Sequence, residues 1–161
     1  MKTSIFFTTI LLNALSTGFF FAWSFSVILG TKKVGDLTYL QTMQNINREI
    51  LNPAFFIVFF GSLLTLILTT YLQFNNKTAF GLVLISTIIY LIGTFGVTAF
   101  GNVPLNNELE ALNITKIDLA ELENFRTYYE SAWNHFHSVR TISSIISFIL
   151  LLISIFIQKT F

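Results

Sequence analysis

Residues 3–31 read TSIFFTTILLNALSTGFFFAWSFSVILGT, a stretch without one Asp, Glu, Lys or Arg. As a helix it exceeds the ~20 residues that cross the hydrocarbon core of a bilayer. Three further runs, 50–76, 78–107 and 141–158, are equally free of charge, and the nine basic and eight acidic residues all fall outside the four. Across 161 residues, 53% are apolar and 11% charged, against about 25% charged in an ordinary soluble domain. The expected fold is therefore all-α: a membrane four-helix bundle, with spans at about 4–29, 54–74, 79–100 and 133–157. Residues 1–161 read as a single membrane domain. Lys2 before an apolar run has the opening of a signal peptide. That run outlasts the ~7–15 residues of a signal core and has no small-x-small cleavage site, so it reads as a retained first span.

Composition excludes several functions. A net charge of +1 supplies no basic patch for nucleic acid. Without cysteine there are no disulfides, thiolate nucleophiles or cysteine-held clusters. The two histidines, His135 and His137, are neighbours on one helix and cannot clasp a haem from facing helices. A metal site would have to gather Glu130, His137 and Glu49, which show no ligand spacing. Phosphate loops, dinucleotide fingerprints and nucleophile elbows are absent. Four spans without an internal repeat argue against a secondary transporter. The expectation is no metal and no cofactor.

In span one, Ala14, Gly18, Ala22, Ser26 and Gly30 make a small-residue stripe that lets another helix approach closely; packing inside the bundle is favoured over homo-oligomer contact. Leu37, Leu40, Met43, Ile46, Ile50 and Leu51 recur at helical spacing and predict an interfacial amphipathic helix before span two. Pro53 after Asn52 suits the opening of span two, and residues 74–78 form a polar turn. Gly93, Gly96 and Gly101 interrupt span three, and the asparagines around Pro104 predict a re-entrant turn over 101–107. From near Asp118 a breaker-free stretch predicts one long, partly extramembrane fourth helix to Gln158.

On that helix Glu130, Trp133, Asn134, His137, Arg140 and Thr141 share a face. Ionisable residues entering a span are functional candidates by default. Trp133 and His135 also suit an interfacial belt, with His135 on another face. The two odd-numbered loops share one side of the membrane, so Asn47, Asn102 and Asn106 can meet Glu130, His137 and Arg140 at one mouth of the bundle. Capping is the alternative role for Asn47 and Asn102. Lys2, Lys77 and Lys159 lie on one side without acids, which places both termini in the cytoplasm. The raw count of Lys and Arg, three against five, points the other way.

Met43, Asn47-Arg48 and Leu51-Asn52-Pro53-Ala54-Phe55, then Gly101-Asn102-Val103-Pro104-Leu105-Asn106, then Tyr129-Glu130, Trp133-Asn134, Phe136-His137 and Val139-Arg140-Thr141 carry a resemblance over nearly the whole chain. The sequence resembles the anthrone oxygenase-like family of small four-span membrane proteins. Most bacterial members are described only as a domain of unknown function, and the implied setting is a bacterial cell membrane. The resemblance implies an oxidoreductase that converts a lipophilic anthrone to a quinone without flavin or metal. The family's polar positions fall here on Asn47, Asn102, Asn106, Trp133, His137 and Arg140. Chemically, His137 could act as base and Arg140 with the Asn102 and Asn106 amides could stabilise an anion. Glu130, Trp133 and Asn134 would complete the ligand site. The alternative is a non-catalytic protein whose polar mouth holds an amphipathic molecule, a membrane lipid or a partner subunit.

Overall fold

In a computed structural model that describes residues 2–158, five helices follow one another, with no strand among the described residues. They are α1 (Lys2–Thr31), α2 (Asp36–Glu49), α3 (Pro53–Leu72), α4 (Lys77–Ala111) and α5 (Leu119–Gln158). Lys159, counted above with the terminal side, lies outside the described residues. α1, α3, α4 and α5 are long and apolar enough to cross a membrane. The outer surface agrees, since Phe25, Ile57, Ile92 and Phe100 are 65%, 64%, 66% and 86% exposed, an arrangement that only lipid makes favourable.

Side-chain caps start the helices. Asn52 Oδ1 accepts from Phe55 N at 3.0 Å with Pro53 at the first helical position, Asn76 accepts from Ala79 N, and Asp118 accepts from Glu121 N at 2.8 Å. Each satisfies a backbone donor that the helix leaves open. The four spans then pack in a ring: α1 on α3, α3 on α4, α4 on α5, and α5 back on α1. Hydroxyl pairs bind the ring in its interior, Thr9 with Thr69 (2.7 Å), Ser16 with Tyr90 (2.8 Å), Thr70 with Thr87 (2.8 Å) and Ser86 with Ser147 (2.9 Å). In a bundle surrounded by lipid, such bonds and close packing replace the hydrophobic drive.

Two expectations are corrected. The small-residue stripe of α1 does not pack inside the bundle: Gly18, Ala22, Ser26 and Gly30 are exposed, and the inward face is Thr9, Asn13, Ser16 and Phe20. Hydroxyl and amide groups need partners that lipid lacks, whereas small apolar groups lose nothing by facing it. No re-entrant turn forms over 101–107 either; α4 runs through Pro104 to Ala111. Its residues Tyr90–Gly96 and Thr98–Asn102 adopt wider five-residue turns, and Val103 N donates to Thr98 O. That register relieves the clash a proline ring would make with the carbonyl four residues back. The amphipathic helix expected before span two is α2, and its apolar face packs on the bundle. Tyr39, Leu40 and Met43 are buried against Leu105 and Leu109 of α4 and Leu122, Tyr129 and Trp133 of α5.

Arg126 locks α2 in place. It donates to Val34 O and Asp36 at 2.7 and 2.8 Å, pairs with Glu130 at 3.2 Å, and lies 4.7 Å from the centre of the Tyr39 ring. Burial, with Glu130 nearby, pushes the Tyr39 phenol above its ordinary range, so it stays a neutral platform. The Arg126 side chain is 12% exposed, that of Arg48 in its pair with Glu110 55%. Arg126→Met is expected to destabilise the protein by about 1.5–3 kcal/mol, the range for hydrogen bonds to charged groups, and to speed hydrogen exchange over 36–49. Arg48→Met should change stability by less than about 1 kcal/mol.

Candidate functional site

Where α2 crosses the end of the ring, a cavity of about 360 Å³ opens between α1, α2, α4 and α5. α1 contributes Phe19, Phe20 and Trp23, the last at the start of a wide five-residue turn, Trp23–Val27. Ile46, Ile50, Leu51 and Phe55 close the opposite side, and Asn47 comes from α2. From α4 come Thr98, Asn102, Val103 and Asn106, spaced so that the wide turn rotates Thr98 and Asn102 onto one wall. α5 supplies Trp133 and Arg140, while Arg48 and Glu110 form a charged rim. The size suits one ring-containing ligand, and an apolar lining with a few convergent polar groups is the usual form of a small-molecule site.

Arg140 is the unusual group. It is 7% exposed, yet among the described residues no carboxylate pairs with it: Glu110 is taken by Arg48 and Glu130 by Arg126. Its guanidinium lies 4.8 Å from the centre of the Phe20 ring and 5.0 Å from that of Trp133. Nε and Nη2 donate to His137 Nδ1 at 3.1 and 3.0 Å, and Nη1 donates to Thr98 Oγ1 at 3.4 Å. Each terminal nitrogen therefore keeps an N–H without a protein acceptor. Desolvating a cation without an anion is costly, and the cavity beside it is where an anion can sit.

His137 lies one layer behind that wall. It is 1% exposed, stacks on Trp133 with ring centres 5.1 Å apart and does not line the cavity. Because Nδ1 accepts from Arg140, the ring is neutral with its proton on Nε2, which donates to Phe20 O at 3.2 Å and faces Ser24 Oγ at 3.0 Å. The one lone pair of the ring faces Arg140, and these contacts hold the guanidinium at a set angle.

The asparagines are ordered by one another's neighbours. Asn106 Oδ1 accepts from Trp133 Nε1 at 2.8 Å and from the Tyr129 hydroxyl at 3.2 Å, and that hydroxyl accepts from Asn47 Nδ2 at 3.3 Å. Asn102 Nδ2 donates to Trp133 O at 3.1 Å, leaving its buried Oδ1 without a partner. Neither Asn47 nor Asn102 serves as a side-chain helix cap. Asn106→Leu strands the indole N–H and the phenol O–H together. It is expected to cost about 1–3 kcal/mol per stranded group, read as a lower melting temperature with a shift in tryptophan emission.

Two expected members stand apart. Glu130 is engaged by Arg126, and half-buried Asn134 does not line the cavity. Helical spacing groups them with Arg140, but they look towards α2 and away from the cavity respectively. Thr98, Phe20 and Trp23 were not singled out by sequence, and Phe55 only within the motif that carries the resemblance. Thr98 carries a signal, lying four residues before Asn102, and Trp23 is one of two tryptophans; Phe20 carries none among the many phenylalanines.

Fold and site together define a multi-pass helical membrane protein with an apolar, arginine-floored cavity at one end of its bundle. The family model for anthrone oxygenase matches residues 45–150, and the chain belongs to that family. No curated protein and no solved structure matches. The matched residues hold all the polar groups of the cavity wall; Phe19, Phe20 and Trp23 of α1 lie outside them.

Proposed function

We propose that the cavity binds a lipophilic aromatic compound of anthrone type as its enolate, and that the protein oxidises it with dioxygen without a cofactor. The observation that carries this reading is the buried Arg140 guanidinium, without a carboxylate and flanked by the rings of Phe20 and Trp133. It offers two open N–H groups to an oxyanion beside aromatic rings, where such a contact is stronger than in bulk water. Stabilising the enolate oxygen makes the methylene carbon opposite it more acidic. Glu110, on the rim, is the carboxylate of the cavity wall and takes the proton. The enolate passes an electron to dioxygen, the pair combines at that carbon as a peroxide anion, which takes back the proton held by Glu110, and loss of water from the hydroperoxide leaves the second carbonyl. One anthrone and one dioxygen thus give one quinone and one water.

The assay is the purified protein in nanodiscs with an anthrone under air. Quinone absorbance and oxygen uptake should rise in equal amounts, faster than in protein-free nanodiscs, and Glu110→Gln should slow both. A second reading, a non-catalytic protein holding an amphipathic ligand, is favoured by the occupied lone pair of His137. Tight anthrone binding with no oxygen uptake would select it. The proposal keeps both termini in the cytoplasm of a bacterial cell, with the mouth on the opposite face; a periplasmic signal from a reporter fused to the C-terminus reverses that orientation.

A further inference from the structure

On the side of α1 the cavity has a neighbour. A second hollow, of about 520 Å³, lies in the gap between α1 and α3 and shares the side chains of Phe19, Phe20, Ile50 and Phe55 with it. Its lining includes Ala14 and Gly18 of α1 and Ala54 of α3. Gly18 and Ala54 are exposed, and a Cβ added at Gly18 would meet no atom within 4 Å. Leu15 beside them is 50% exposed, on helix surface that faces lipid chains. Ala14 and Gly18 of the outward small-residue stripe therefore leave a trough, and the trough adjoins the cavity that holds Arg140 across the Phe19 and Phe55 rings, whose centres are 5.9 Å apart.

Resting on the reading that this cavity holds an oxygenated aromatic ring, we infer that the ligand also carries a hydrocarbon tail, which leaves beside the Phe19–Phe55 pair and lies in the α1–α3 trough. The polarity of the two hollows matches such a molecule end to end: cation and amides at one end, aliphatic and aromatic carbon at the other. Lipid chains compete for any apolar trough in a bilayer. A tail tethered to a ring bound next door seats there without a further loss of translational freedom of its own.

The test uses dihydroxyanthraquinone, with and without a dodecyl chain, binding to the protein in phosphatidylcholine nanodiscs. Quenching of Trp23 and Trp133, the only tryptophans in the chain, reports occupancy, with affinities referred to ligand in the bilayer. The tailed compound should bind at least ~10-fold more tightly. Gly18→Phe should cut that advantage to within about 2-fold while tailless affinity stays unchanged, and Ala54→Phe should do the same from α3. Gly30→Phe, at another open glycine outside the trough, should leave the advantage intact. Equal affinities in the wild type, as when a phospholipid chain already fills the trough, overturn the inference, as does an advantage that survives both trough substitutions. In either case tailless binding leaves the ring reading standing. No quenching by either compound sinks both.

Discussion

Replacing Arg140 by leucine is expected to lower anthrone oxidation by about 10²–10³-fold, the effect of removing an oxyanion partner, without lowering the melting temperature. The two halves of that result come from the same observation. Leucine removes a desolvated cation that no carboxylate offsets, which is worth several kcal/mol. It leaves His137 Nδ1 without its donor, at about 1–3 kcal/mol. The first effect at least balances the second, so stability holds or rises while function is lost. Arg140→Lys should also fail by ~10-fold or more, because an ammonium cannot reach His137, Thr98 and a ligand together as a planar fork does. His137→Phe should reduce turnover through a misplaced guanidinium, and His137→Gln, whose amide oxygen can accept from Arg140, should restore part of it. A melting temperature that falls in step with activity in Arg140→Leu would show that the arginine only holds the bundle together.

The second large effect is expected at Gly101. A Cβ there would lie 2.7 Å from Cγ and Cδ1 of the Phe136 ring. These atoms sit at the root of the side chain and cannot swing away. Gly101→Val should therefore destabilise the protein by about 1–3 kcal/mol through overpacking and push α5 off α4. Asn102 and Trp133, joined at 3.1 Å beside this contact, would separate, and ligand affinity should fall with stability. Phe136→Ala in the same chain should restore much of both, a coupling that a double-mutant cycle measures directly. Gly81→Val, where a Cβ would meet nothing within 4 Å, serves as the control and should be near neutral. Thermal melts in detergent decide it: a Gly101→Val protein that melts like the wild type would show that the two helices are not held at contact distance by this glycine. Gly93 makes a similar close approach, its missing Cβ falling against Ser143.

Read alone, the sequence determined the number and placement of the spans, the helix starts at Pro53 and near Asp118, the amphipathic second helix and the unbroken fifth. Those depend on the thickness of the hydrocarbon core and on local hydrogen bonding, both of which act along one chain segment at a time. It also determined which polar residues reach one end of the bundle, because topology alone puts the odd-numbered loops together. Only the tertiary structure decided which of them share a wall. Residues three and four apart share a helix face, but that face is broad enough for Glu130 to meet Arg126, His137 to lie behind Arg140, and only Trp133 and Arg140 to reach the cavity. The passage of α4 through Pro104 was equally illegible, since the wide turns before it arise from how α4 seats against α5. The absence, among the described residues, of a carboxylate at Arg140, on which the proposed chemistry stands, is likewise a property of helix rotations in the packed ring, and no spacing along the chain encodes those rotations.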